Sequence, residues 1–376
     1  MIGMLKSSIL GRFMLAYTFM AAGAIINVIQ LLAVPLAWVG FKNQSRNLVR
    51  RLTYLHWALI PAISQWWANI DITLHARPDD MTKFGKEKAL LVMNHKCQLD
   101  WVVIWCLGHY YDVLQNVKAI VKSSLRVVPV IGWAMWFNEF IFVRRNAKTD
   151  GGIIIKSLDN FSSFRYDYWL LIFCEGTRFT PDKQKTSNEF AVKNGLRPLK
   201  HHLVPRTKGF SLISRGLRDT VPAVYDVTLC FPGNKDPTLS DFVGGRDVKV
   251  DLIIRRIPIE EVPEEPEKCS EFLHEIYRDK DQLCEFHQNH QRFPIMGELP
   301  AYEGCVKKRL EKNKSALFVI ILWMVLLVPP FVALSLFMLF SGTLMQSIVS
   351  SLVIVAISLT SKVILKSGSP TSSYGS

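Results

Sequence analysis

The chain has 376 residues, enough for one sizeable domain with extra segments or for two small domains. Hydrophobic residues make up 49% and the mean hydropathy is positive, which is high for a soluble protein. The net charge of +13 is compatible with nucleic acid, an anionic membrane surface or anionic substrates. No RNP, zinc-finger or helix-turn-helix pattern accompanies it, so nucleic acid is set aside as a partner.

In chain order, the first feature is a stretch free of Lys, Arg, Asp and Glu from Phe13 to Phe41. It is long enough for one membrane-spanning helix of about 20 residues with some tilt. A signal peptide is the alternative, but the stretch exceeds a signal h-region and lacks a convincing small-residue cleavage site. Lys42, Arg46, Arg50 and Arg51 follow it. The next segment, 52–70, is aromatic-rich and interrupted by His56 and Pro61. It reads as an interfacial hairpin partner to the first helix, with Trp66 and Trp67 at headgroup level; a buried core helix is the alternative.

From residue 72 to 314, short apolar runs alternate with polar or helical stretches: "ALLVMNH", "VKAIV", "FIFV", "WLLIFCEGTR", "HHLVPR", "VPAVYDVTL" and "VKVDLIIRRI". This alternation predicts an α/β domain with a mixed, mostly parallel sheet flanked by helices. The helices are expected over 150–165, 183–195 and 270–289, the last reached through a Pro-Glu-rich linker at 260–268. Lys307, Lys308, Arg309, Lys312 and Lys314 precede a second charge-free region, Ser315 to Ser361, about right for two spans turning at Ser341-Gly342. Pro329-Pro330 should kink the first of these. The basic clusters flank the central region on both sides, so the positive-inside rule puts 42–314 in the cytosol. The expected layout is a membrane anchor with hairpin over 1–71, the cytosolic domain over 72–314, a helix pair over 315–362 and a disordered tail over 363–376. The seven cysteines have no CxxC pairing, consistent with reduced cytosolic thiols, and the His and Cys residues lack metal-ligand spacing.

Three of the apolar runs end in polar clusters. In "LVMNHKCQLDW", His95 is followed by Asp100. On one regular helix these residues would point about 140° apart. With His95 at a strand end and Asp100 in the first turn of the next helix, the carboxylate accepts from Nδ1–H and leaves Nε2 as a general base. Spacing alone leaves open a capping loop with an incidental aspartate. In "FCEGTRFT", Glu175, Gly176, Thr177 and Arg178 offer exposed backbone N–H groups and a phosphate-binding guanidinium. "FIFVRRN" places Arg144 and Arg145 at a strand end, with Lys122 upstream; "LVPRTKGF" adds Arg206 and Lys208. A histidine base beside several cations suits deprotonation of a hydroxyl on a phosphorylated substrate.

His95-x4-Asp100, Phe142-Val143-Arg144-Arg145, Phe173 to Arg178, and Val221-Pro222-Ala223-Val224 stand in an order that resembles the four blocks of the PlsC-like glycerolipid acyltransferases. "PVIGW", "CEGTRFT", "PRTKGF" and "RRIPIEEVP" are similar to the animal 1-acyl-glycerol-3-phosphate acyltransferases of the gamma and delta type. The resemblance covers about residues 10–310. It implies the PlsC-like fold and acyl transfer from acyl-CoA to the sn-2 hydroxyl of lysophosphatidic acid, with acyl-CoA as co-substrate and no cofactor. It also implies that His95 is the base and Asp100 holds it. Arg145 and Arg178 would grip the glycerol phosphate, with Lys122 close to it. Glu175 and Gly176 would help shape the acceptor site, and Val221 and Pro222 would help form the acyl-CoA site. An endoplasmic reticulum membrane is the family location. The second block commonly carries Asp where this chain has Arg144, a departure that bears on headgroup preference.

Overall fold

The computed structural model describes residues 6, 8–233, 236–294, 298–299, 302–348, 351–352 and 355. They cluster into two compact units. One comprises Asp71–Asp236 with Lys249–Glu311, and the other comprises the two chain ends with the short insert Pro237–Val248. The expected 72–314 domain is therefore interrupted by an insert that folds with the ends.

The first unit is built on eight strands: β1 Ile70–Ala76, β2 Ala89–Met93, β3 Val117–Lys122, β4 Ile141–Val143, β5 Trp169–Ile172, β6 Ala223–Cys230, β7 Val248–Pro258 and β8 Val306–Arg309. They lie in the order β4-β3-β5-β2-β6-β7-β1-β8. The pairs from β4 to β6 are parallel, while β6–β7 and β1–β8 are antiparallel. The sheet is thus mixed and mostly parallel at the end that matters for function. Its central strands β2 and β5 read as unbroken apolar runs because helices cover both faces, while β6 interrupts its run with buried Asp226 and Thr228. "ALLVM" of β2 and all eight residues of β6 are buried.

The flanking helices are α3 Asp100–Tyr110, α4 Ile131–Phe137, α5 Ala147–Ser162, α6 Pro181–Lys193, α7 Thr207–Gly216 and α9 Pro266–His290. α9 carries a fully buried lysine. Lys280 Nζ donates to the carbonyls of Val92 (3.2 Å) and Val227 (2.6 Å) and pairs with buried Asp226, which Arg255 also binds. One side chain thereby ties β2 and β6 to a helix.

Two expectations about strands differ from the structure. "HHLVPR" forms no strand, because side chains take its backbone donors. Asp281 accepts from the amides of Lys200 and His201, Glu175 from that of Leu203, and Ser187 Oγ from that of Val204. β8, "VKKR", is an unexpected strand, fully exposed and charged, which suits the sheet's outer edge.

The second unit contains α1 Ile9–Trp38, α2 Lys42–Trp57, the short α8 Leu239–Val243 and α10 Lys314–Phe340. α1 and α10 are long and apolar enough to cross a membrane. α10 continues through Pro329 and Pro330 to the turn at Ser341-Gly342. Much of the expected second span, and the tail 363–376, lie outside the described residues. The helical partner of α1 begins at Lys42, not at residue 52. Ser45 Oγ donates to Ala33 O (2.9 Å), and Gln30 Nε2 donates to Thr53 Oγ1 (2.9 Å). Residues 59–65 are buried within this unit, and the Trp67 indole donates to Val243 O.

Candidate active site

β2 delivers Asn94 and His95 to the carboxyl edge of the parallel strands, where α/β folds characteristically place their sites. The Asn94 side chain closes a two-way bond with the Leu229 backbone on β6, at 3.0 and 2.8 Å, and so fixes the strand end. Asp100 is the first residue of α3, where a carboxylate also suits the helix dipole. His95 Nδ1 lies 2.9 Å from Asp100 Oδ2. The Cys97 amide straddles both carboxylate oxygens at 3.0 and 2.9 Å. Asp100 is fully buried, whereas the His95 side chain is 23% exposed. The carboxylate acts as acceptor, so Nδ1 carries the proton and Nε2 presents a lone pair.

The loop after β5 grips the loop after β2. Glu175 Oε1 accepts from the His95 amide (2.8 Å) and Oε2 from the Leu203 amide (3.1 Å), while the Phe179 amide donates to His95 O (2.8 Å). The His95 ring stacks on Phe173 with centroids 4.3 Å apart. Burial pushes the Glu175 carboxyl up, opposed by His202 and by the two amides. Glu175 is 3% exposed, and both of its carboxylate oxygens brace backbone amides, one of them that of His95.

Around this dyad the strand ends bring cations together. Lys122 ends β3 opposite Val143 on β4, and the chain then turns through Arg144 and Arg145. Asp150 holds that turn by accepting from the Arg144 and Asn146 amides (2.9 and 2.8 Å), and Arg145 has φ +63°, a strained value for a side chain of its size. Lys183, in the first turn of α6, donates to Thr177 Oγ1 (2.8 Å) and to Arg178 O (3.1 Å). Gly176 has φ +70°, and a Cβ there would stand 2.6 Å from Arg206 Nε, so the glycine lets the Arg206 guanidinium lie against the loop. Partial burial and the Arg206 charge push Arg145 down; burial, Arg178 and Arg145 do the same to Lys183. Among the described residues, Arg145, Arg178, Lys183 and Arg206 have no carboxylate partner, although Arg255, Arg256 and Arg218 in the same unit each have one.

Lys183 is not among the residues expected from the sequence, whereas Arg206 is, as one of the cations beside the histidine base; its contact with Gly176 is what the structure adds. Their proximity comes from tertiary packing, and no spacing in the sequence announces it. The structure does not bring Val221 and Pro222 to the dyad. Ala223 faces Ala89 and Val227 faces Met93, which puts Val221 and Pro222 at the opposite end of the strands. That is about 25 Å from His95 along the strand direction, at roughly 3.3 Å per residue. Val221 is buried in the main core, and Pro222 O accepts from Ile259 N. Among the described residues, no group of three His, Cys, Asp or Glu side chains is arranged to hold a metal.

The acyltransferase family model matches residues 72–227, and the acyltransferase C-terminus model matches 241–323. Over 300 residues the chain is 39% identical to mouse 1-acyl-sn-glycerol-3-phosphate acyltransferase delta, covering 80% of this chain and 78% of the relative. It is 36% identical over 294 residues to the human gamma protein, with 78% of each chain covered. Among solved structures it is similar to the 1-acyl-sn-glycerophosphate (LPA) acyltransferase PlsC from Thermotoga maritima. That match has 16% identity and a TM-score of 0.35, and covers 70% of this chain and 97% of that one. The chain belongs to the acyltransferase family that contains the 1-acyl-sn-glycerol-3-phosphate acyltransferases.

Proposed function

We propose that the protein transfers a fatty acyl group from acyl-CoA to the sn-2 hydroxyl of lysophosphatidic acid, giving phosphatidate and CoA. The observation that carries this reading is the juxtaposition of an oriented imidazole with four cations that have no carboxylate partner. His95 Nε2 takes the hydroxyl proton as the oxygen attacks the thioester carbon. The tetrahedral intermediate expels CoA thiolate, which recovers the proton from the imidazolium. The thioester is already activated, so the protein has to supply a base, orientation and charge stabilisation. Asp100 holds the imidazole, and Arg145, Arg178 and Lys122 receive the acceptor phosphate, joined by Arg206 and Lys183. Mutual repulsion among these cations favours a dianionic phosphomonoester over a monoanionic diester.

The apolar helices anchor the enzyme in the endoplasmic reticulum membrane, with the 72–314 region facing the cytosol. Release of CoA thiol against a panel of acceptors tests the reading. Lysophosphatidic acid should outrun lysophosphatidylinositol and lysocardiolipin. A preference for either of those would assign the site to another lysophospholipid, and no release with any acceptor would make the chain a lipid-binding protein without this activity.

A further inference from the structure

The segment after β3 presents an apolar surface that the chemistry above does not use. Lys122 leads into a helical turn over Ser123–Val127, and α4 follows. Val127 is 82% exposed, Trp133 52%, Trp136 44% and Leu125 37%. The two tryptophans, three residues apart, share one face of α4. The surface is rigid. A Cβ on Gly132 would stand 2.4 Å from Arg126 O and 2.5 Å from Leu125 O, so the glycine lets the start of α4 sit directly on the turn. At the other end of the helix, Asn138 Nδ2 donates to Val117 O, and Lys118 Nζ donates to Asn138 O (2.7 Å). Between turn and helix, Val130 has φ +65°. A β-branched residue rarely adopts this conformation, and strain of this kind concentrates where a surface has a task.

Val127 and Leu125 are aliphatic tips, the tryptophans prefer headgroup depth, and Arg126 and Lys122 lie exposed beside them. This chemistry fits a lipid surface carrying anionic headgroups. We infer that the Leu125–Trp136 surface docks the sheet domain onto an anionic bilayer, with Val127 and Leu125 entering the acyl boundary. Lys122 lies where this surface meets the cations around His95. An acceptor's phosphate therefore reaches the dyad while its chain stays at the membrane; this last step rests on the function proposed above.

The test uses the full-length protein in bilayers of phosphatidylcholine and phosphatidylserine whose acyl chains are brominated. Tryptophan emission is compared between wild type and the Trp133→Phe/Trp136→Phe variant. Docking predicts that the variant loses a quenchable part of the emission. An unchanged difference on replacing brominated with ordinary lipid would mean that both indoles stay in water or face a protein, and would overturn the inference. This readout needs no activity, so it stands or falls apart from the enzymatic reading. In a second arm, Val127→Asp should lower kcat/KM by about tenfold on bilayer-borne long-chain lysophosphatidic acid. A short-chain, water-soluble lysophosphatidic acid should be used at the wild-type rate. An equal loss on both acceptors would locate Val127 in the catalytic machinery and contradict docking.

Discussion

His95 and Asp100 are five positions apart, a spacing that means little on a helix and a great deal across a strand-to-helix turn. The 2.9 Å contact exists because the β2 strand ends at Met93 and α3 starts at Asp100 itself. That much was legible, since an apolar run ending in Asn-His announces a strand end. The partnership of Arg206 with Gly176 was not, because the residues meet only through folding. Asp100→Asn should lower kcat about a hundredfold or more with little change in acceptor KM, because an amide donor facing Nδ1 favours the wrong tautomer. Arg206→Gln should raise acceptor KM by about tenfold, the loss of roughly one charge-assisted hydrogen bond, with kcat little altered. The buried pair His202–Asp281 behind Glu175 gives a pH signature (Nδ1 to Oδ1, 3.1 Å). Burial alone would push the imidazole down; the Cys284 sulfur, Asp281 and Glu175 outweigh it and raise His202 to about 9. Asp281 is held below its ordinary value: burial opposes this, but the His202 bond and two amides prevail. A raised histidine lends stability that is fully present below about pH 6.5 and lost as pH climbs through about 9. A depressed carboxylate lends stability that fades as pH falls below about 4. Thermal melts of wild type and His202→Gln should therefore differ most between about pH 4 and 6.5 and converge above about pH 9. Parallel melting curves at every pH would contradict this pairing.

Among the elements, the parallel strands and long helices followed from the alternation of apolar runs with helical stretches. The failures each have a tertiary cause: "HHLVPR" looks apolar enough for a strand, but Asp281, Glu175 and Ser187 capture its amides. β8 is all charge and aliphatic stem, and it pairs only because β1 offers an edge. Buried Lys280 could not be anticipated either, since lysine is normally a surface residue. Lys280→Met should destabilise the protein by roughly 3 kcal/mol or more, because it strips the β2 and β6 carbonyls and Asp226 of a buried partner. Exposed Lys268, paired with Glu265 one helical turn away, should tolerate the same change within about 0.5 kcal/mol. Chemical denaturation of the two variants side by side separates these outcomes.

On the scale of the whole molecule, every residue that touches the proposed chemistry lies at one end of the parallel strands, while the fourth sequence block lies at the other. The order of blocks in the chain was legible; which edge each would occupy required the register. The helices apolar enough to cross a membrane were legible from charge-free length alone. The proposed cytosolic placement of the sheet domain predicts that the Asn-x-Ser sequons at Asn43, Asn160 and Asn313 stay unmodified, so endoglycosidase should leave the protein's electrophoretic mobility unchanged. A shift abolished by Asn160→Gln would put the domain on the lumenal side. The central claim is that His95 is the base for acyl transfer to lysophosphatidic acid. It is tested most directly by CoA release from long-chain acyl-CoA by purified wild type and His95→Ala in the same bilayers. General-base catalysis is worth about 10²–10⁴-fold, so the variant should insert normally and lose nearly all turnover. Retention of more than about a tenth of the wild-type rate would fall outside that range and contradict the assignment.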